Sequence, residues 1–183
     1  MNLPNSITVF RLGLIPVFVW QFLEDKLEIA ALIFFTAWVS DVMDGYIARK
    51  FELVTNFGKI FDPFADKLMT LTALFLIAIK FSGDFPWLWA IMIILFVKEA
   101  TLAIGGILLY KKIKEVVGAN WMGKIATFLF TSAIILMMFD TTRNAATVIV
   151  WIALAAAFIA LVTYVINFFK TVINKKTQVD SNH

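Results

Sequence analysis

Apolar residues dominate six stretches of this chain, 7–23, 27–48, 60–81, 85–110, 121–139 and 144–169, separated by short polar or Gly/Pro-bearing joints such as "LEDK", "SGDFP" and "FDTTRN". Most of the runs approach the roughly 20 residues with which a helix crosses about 30 Å of hydrocarbon. The pattern therefore predicts an all-α fold, a polytopic membrane bundle of six transmembrane helices running up and down because the joints are short. The start, "NLPNSITVFR", carries a proline and a charge, so its first turn is expected to lie along the membrane surface as a short N-terminal juxtamembrane segment. Residues 1–175 are expected to form a single membrane domain, and 176–183 a polar, frayed tail.

Composition strengthens this reading. The 183 residues are 61% hydrophobic and 15% aromatic, with a mean hydropathy of +0.87, against about 45–50% apolar for an ordinary soluble domain. No cysteine is present and the one histidine is the terminal His183, which excludes disulfides and thiolate sites and leaves chemistry to carboxylates, lysines and arginines. The net charge of +3 is read as topology and not as nucleic-acid binding. With the N-terminus inside, one side of the bundle holds Arg49, Lys50, Lys111, Lys112, Lys114, Lys124, Lys170, Lys175 and Lys176, the other only Lys26, Lys80 and Arg143. The positive-inside rule thus sets the orientation. Trp87 and Trp89 fit one water interface, Tyr110 and Trp121 the other. The N-terminal run has no basic region before it and no small-residue cleavage site after it, so it is expected to be retained rather than removed as a signal peptide.

Against this background the stretch "SDVMDGYIARKFELVTNFGKIFDPFADKLM" places four aspartates, Asp41, Asp44, Asp62 and Asp66. The first two fall in the cytoplasmic third of the second run, the last two in the first turns of the third, so the pairs share a depth and can face each other. Helical spacing puts Asp41, Asp44, Gly45 and Ala48 on one stripe and Gly58, Asp62 and Asp66 on another. A charge in mid-membrane costs about 2.5–3.5 kcal/mol on the insertion scale, less near the edge, and such residues mark function by default. Pairing with Arg49, Lys59 and Lys67 around a wet interface is the structural alternative. Facing carboxylates without histidine or cysteine make a hard-oxygen site suited to Mg²⁺ or Mn²⁺, one ion or two. Such ions clamp a diphosphate that bare carboxylates would repel, which points to phosphoryl or phosphodiester transfer. Gly45, Ala48 and Gly58 either open a groove for a flat group or serve close helix packing.

The run Asp41-x-x-Asp44-Gly45-x-x-Ala48-Arg49, then eight residues, then Gly58-x-x-x-Asp62-x-x-x-Asp66, resembles the signature of the CDP-alcohol phosphotransferases with every position filled. "NLPNSITVFRLGLIPVF" and "FDPFADKLM" resemble more narrowly its bacterial phosphatidylglycerophosphate synthase branch. The resemblance implies a homodimer in the cell membrane, active site toward the cytoplasm, that moves a phosphatidyl group from CDP-diacylglycerol to an alcohol and releases CMP. It implies Asp41, Asp44 and Asp62 as metal ligands, and Asp66 as general base and possible fourth ligand. Gly45, Ala48, Arg49 and Gly58 would admit the nucleotide. Thr8 and Arg11 resemble positions of an N-terminal motif and are expected at the cytoplasmic surface, either touching substrate phosphate or, for Arg11, snorkelling.

A phosphorylated acceptor such as glycerol 3-phosphate needs cations outside the metal site, for which Lys59, Lys98 and Lys124 are candidates. Lys98 has a second reading as the partner of Glu99 or of another helix; Lys59 and Lys124 have one as interfacial snorkels. Lys67 can tune or pair with Asp66. Serine, inositol phosphate or phosphatidylglycerol are the alternative acceptors. A prenyltransferase releasing pyrophosphate and a transporter using aspartate relays are the rivals from other classes.

Overall fold

A computed structural model describes the backbone of residues 3–50, 56–113 and 121–180, and the side chains of 6–43, 45, 50, 64–101 and 121–167. Among these residues the chain is all helix and turn: α1 (Leu3–Leu23), α2 (Leu27–Lys50), α3 (Asn56–Phe81), α4 (Trp87–Ile113), α5 (Trp121–Met137), a 3-10 turn (Asp140–Thr142) and α6 (Arg143–Asp180). Each of the six apolar runs is a helix. Among the described residues two stretches are long and apolar enough to cross a membrane, Ser6–Leu23 and Asp140–Asn167. α2 carries Glu28, Asp41, Asp44, Arg49 and Lys50, and α3 carries Lys59, Asp62, Asp66, Lys67 and Lys80, so neither is apolar along its whole length.

Three boundaries differ from the sequence reading. α1 is uninterrupted from Leu3, so its first turn continues the helix instead of forming a separate segment; Pro4 is tolerated there because first-turn N–H groups have no helical acceptor. α3 starts at Asn56, which places Asp62 in its second turn and Asp66 in its third. α6 continues through the polar tail to Asp180, since "NKKTQVD" contains no glycine or proline to stop it.

Two compact units make up the chain, Met1–Met92 with Thr131–Ala146 and Ile93–Phe130 with Thr147–His183. In the first, α1 packs on α2 and α3, and α2 on α3. Apolar residues occupy the outward face as well as the buried one, unlike a water-soluble helix. On α1 the buried positions are Thr8, Arg11, Phe18 and Phe22, whereas Val9, Phe10, Val17 and Trp20 face outward. On α2 the buried stripe is Ala30, Phe34 and Ala37, and Ile29, Leu32, Phe35, Val42 and Met43 are exposed. Outward apolar residues on this scale are what lipid contact requires. Alanines at the interior positions of α2 and α3, including Ala65 and Ala73, let backbones approach closely. The Phe18 ring lies 5.9 Å from Phe34 and joins α1 to α2.

The turn between α1 and α2 sets their register. Lys26 N–H donates to Gln21 C=O at 3.0 Å and Asp25 N–H to Phe22 C=O at 3.2 Å, the paired bonds of a Schellman cap. Asp25 occupies its left-handed position, φ 62°, where glycine is usual and aspartate is tolerated. At the same end Lys80 pairs with Asp25, Arg143 pairs with Asp140, and the Arg143 guanidinium lies 4.1 Å from the Phe81 ring centre. Thr142 Oγ1 donates to Leu136 C=O at 2.8 Å, which also accepts from Phe139 N–H, and Arg143 Nε to Met137 C=O at 3.2 Å, so side chains help satisfy the carbonyls at the end of α5.

Candidate active site

The helical rise places three charged residues at one depth. Arg11 is 12 residues before the end of α1, about 18 Å; Asp41 is 14 residues into α2 and Asp66 14 residues before Lys80 on α3, about 21 Å each. Because the α1–α2 turn is tight and α1 contacts both neighbours, one cation and two carboxylates arrive together.

Arg11 Nη1 lies 2.6 Å from Asp41 Oδ1. The guanidinium is only 1% exposed, while the Asp41 side chain retains 33%. Asp66 is half-buried and within electrostatic reach of Asp41, Arg11 and Lys67. Thr8, one turn before Arg11, is fully buried. A cavity of about 10 Å³ is bounded by Arg11, Trp38, Asp66, Thr70 and Thr131 among others; that is roughly the space of one water.

The expectation that Arg11 sits at the surface is corrected: it is enclosed by protein and held by Asp41, because a cation on an apolar helix is cheapest facing the interior opposite a carboxylate. Gly45 is half-buried on α2, four residues beyond Asp41. Asp44, Ala48 and Arg49 lie on α2 and Gly58, Lys59 and Asp62 on α3 by their backbone, and their side chains lie outside the described residues. In the second unit Lys98 Nζ is 2.8 Å from Glu99 Oε1, and Lys124 is exposed with Nζ 4.9 Å from the Trp121 ring centre. Sequence reasoning missed Thr131, a buried hydroxyl that α5 brings to the cavity. Its signal was a polar residue in an apolar run, a weak one because threonine satisfies itself on helix carbonyls, as Thr127 does on Gly123 C=O at 3.0 Å.

Chemically, the described part of the site offers two oxygen donors with one fixed cation beside them. Oxygen donors without nitrogen or sulfur suit a hard divalent ion; among the described residues no group of three such side chains is gathered, Asp44 and Asp62 lying outside the described side chains.

The model of the CDP-alcohol phosphatidyltransferase family matches residues 1–163. The chain belongs to this family. As a CDP-alcohol phosphatidyltransferase it falls among enzymes that are generally divalent-metal dependent. It is 39% identical over 142 residues to a CDP-diacylglycerol–glycerol-3-phosphate 3-phosphatidyltransferase of Bacillus subtilis, covering 69% of this chain and 71% of the relative. It is 33% identical over 172 residues to the protein of the same name from Rickettsia felis, 88% of this chain and 91% of the relative. A probable phosphatidylglycerophosphate synthase of Mycobacterium tuberculosis is 33% identical over 173 residues, 90% and 80% of the two chains.

Proposed function

We propose that this CDP-alcohol phosphatidyltransferase moves the phosphatidyl group of CDP-diacylglycerol to glycerol 3-phosphate, giving phosphatidylglycerophosphate and CMP in phospholipid biosynthesis. The observation that carries the proposal is the convergence of Asp41 and Asp66, two aspartates of the family motif, from adjacent helices. The shared name of the Bacillus and Rickettsia relatives supports the choice of donor and acceptor.

In this reading Asp41, Asp44 and Asp62, with Asp66 at the edge, hold Mg²⁺ or Mn²⁺, one ion or two. When bound, the metal offsets the diphosphate charge and polarises the phosphorus. Asp66 accepts the proton of the acceptor's primary hydroxyl. The freed oxygen forms its bond to the β-phosphorus of CDP-diacylglycerol, the bond from that phosphorus to CMP breaks, and the electron pair leaves with CMP. Gly45, Ala48 and Gly58 leave room for the nucleotide, with Arg49 beside it. Lys59, adjacent in sequence to Gly58, is the first choice for the acceptor's phosphate, ahead of Lys98 and Lys124. The enzyme spans the cell membrane six times as a homodimer, with this site toward the cytoplasm.

The test is CMP release by the purified protein in detergent with CDP-diacylglycerol and Mg²⁺ or Mn²⁺, offering glycerol 3-phosphate, serine, inositol phosphate and phosphatidylglycerol in parallel. Release with glycerol 3-phosphate alone is expected. Release with a different acceptor would refute the assignment of substrate, and no release with any of them would refute the phosphatidyl transfer itself.

A further inference from the structure

Three observations set Arg11 apart from the other cations among the described residues. It is the largest side chain among those that are essentially fully buried. Its ion pair at 2.6 Å is made to Asp41, the first aspartate of the motif. It also lines the small cavity that Asp66 lines, so a single guanidinium on α1 pairs with a carboxylate of α2 and lies within electrostatic reach of one on α3.

Two carboxylates brought together from separate helices repel each other, and taking either out of water without a partner is costly. Something must balance them before a divalent ion arrives. A buried arginine has the same need for an anion, because its charge cannot be relieved by losing a proton. We infer that Arg11 is the resident counter-ion of the acidic site, a positioning residue that holds α1, α2 and α3 together around Asp41 and Asp66 in the metal-free protein. Its charge is spent on the protein's own carboxylates and not on substrate phosphate. The inference rests on the metal reading of those aspartates.

This assignment separates Arg11 from a residue that only fills space. If its role is charge, a divalent ion can stand in for part of what is lost when Arg11 is neutralised. If its role is packing, the loss is the same with and without the ion. The experiment is thermal unfolding of purified full-length protein in detergent, in EDTA and in Mn²⁺, for wild type, Arg11→Gln and Arg11→Lys.

Breaking one partner of a buried pair is strongly destabilising, so Arg11→Gln is expected to lower the metal-free Tm by about 10 °C for a chain of this size. Mn²⁺ should restore roughly half of that loss or more, a larger metal-induced rise than wild type shows. Arg11→Lys, which keeps the charge, should stay much closer to wild type in EDTA. A parallel loss for Arg11→Gln in EDTA and Mn²⁺ would overturn the inference while leaving the metal site standing. Should Arg11→Gln give no folded protein, Arg11→Lys decides, and a drop of about 10 °C or more in its metal-free Tm would overturn the inference too. No Mn²⁺ effect on wild type would remove the metal reading, and this inference with it.

Discussion

The two ends of the first unit use the same pairing for opposite purposes. At the turn end Lys80 meets Asp25 and Arg143 meets Asp140, with the two carboxylates 72% and 87% exposed. About 20 Å along the helices, Arg11 meets Asp41 with the guanidinium sealed from solvent. Exposed pairs contribute about 0–1 kcal/mol, because water screens them and long side chains lose freedom in forming them. A buried pair gains little on assembly yet costs roughly 3–5 kcal/mol when one partner alone is removed. The turn end can therefore vary cheaply, whereas at the other end position and charge are both fixed, as a site for charged substrates requires.

The sharpest way to break this contrast is at the buried end. Asp66→Asn keeps the shape of the side chain and removes its basicity, so turnover should fall by about 10²–10⁴-fold, the usual contribution of general base catalysis. CDP-nucleotide binding, measured by competition, should be spared more than in Asp44→Asn; equal loss in both would merge the two roles assigned to these aspartates. At the turn end the largest effect belongs to Arg143→Ala, which loses the Met137 carbonyl bond and the contact with Phe81 together with the Asp140 pair. A loss of about 1–2 kcal/mol is expected, most of it from the freed carbonyl and the ring, with Asp140→Ala costing less than half as much in the same chemical denaturation. Smallest of all, Lys80→Ala should change stability by less than about 1 kcal/mol and leave CMP release at wild-type level. A large effect there would mean that the turn end is not the inert one.

Element placement was legible because polar and Gly/Pro-bearing joints interrupt the apolar runs: "SGDFP" lies between α3 and α4, "LEDK" spans the α1–α2 turn from Leu23, and "FDTTRN" runs from the end of α5 through the 3-10 turn into the first residues of α6. The candidate site was legible as residue types, since aspartates in a greasy chain stand out. Pairing was not. Arg11 and Asp41 were each singled out, yet nothing in either local sequence states that they meet. That fact lies in the "LEDK" turn, whose Schellman bonds bring α2 back along α1 with the two residues at similar distances from it. Counting 12 residues back and 14 forward from the turn would have found the pair. Thr131 stayed hidden for a different reason, as a threonine in an apolar helix is self-sufficient in hydrogen bonding and advertises nothing. The length of α6 was not legible, because a polar composition does not itself end a helix: propensity depends on which polar residues are present.

The α1–α2 hairpin also has a meaning for biogenesis. A ribosome makes Arg11 thirty residues before Asp41, and an unpaired arginine on an apolar helix is costly to place in a bilayer. α1 by itself carries an uncancelled charge; α1 with α2 does not. The smallest fragment of this chain in which that charge is matched by Asp41 is therefore the pair of helices, so the contact at the site also ties the first helix to the second.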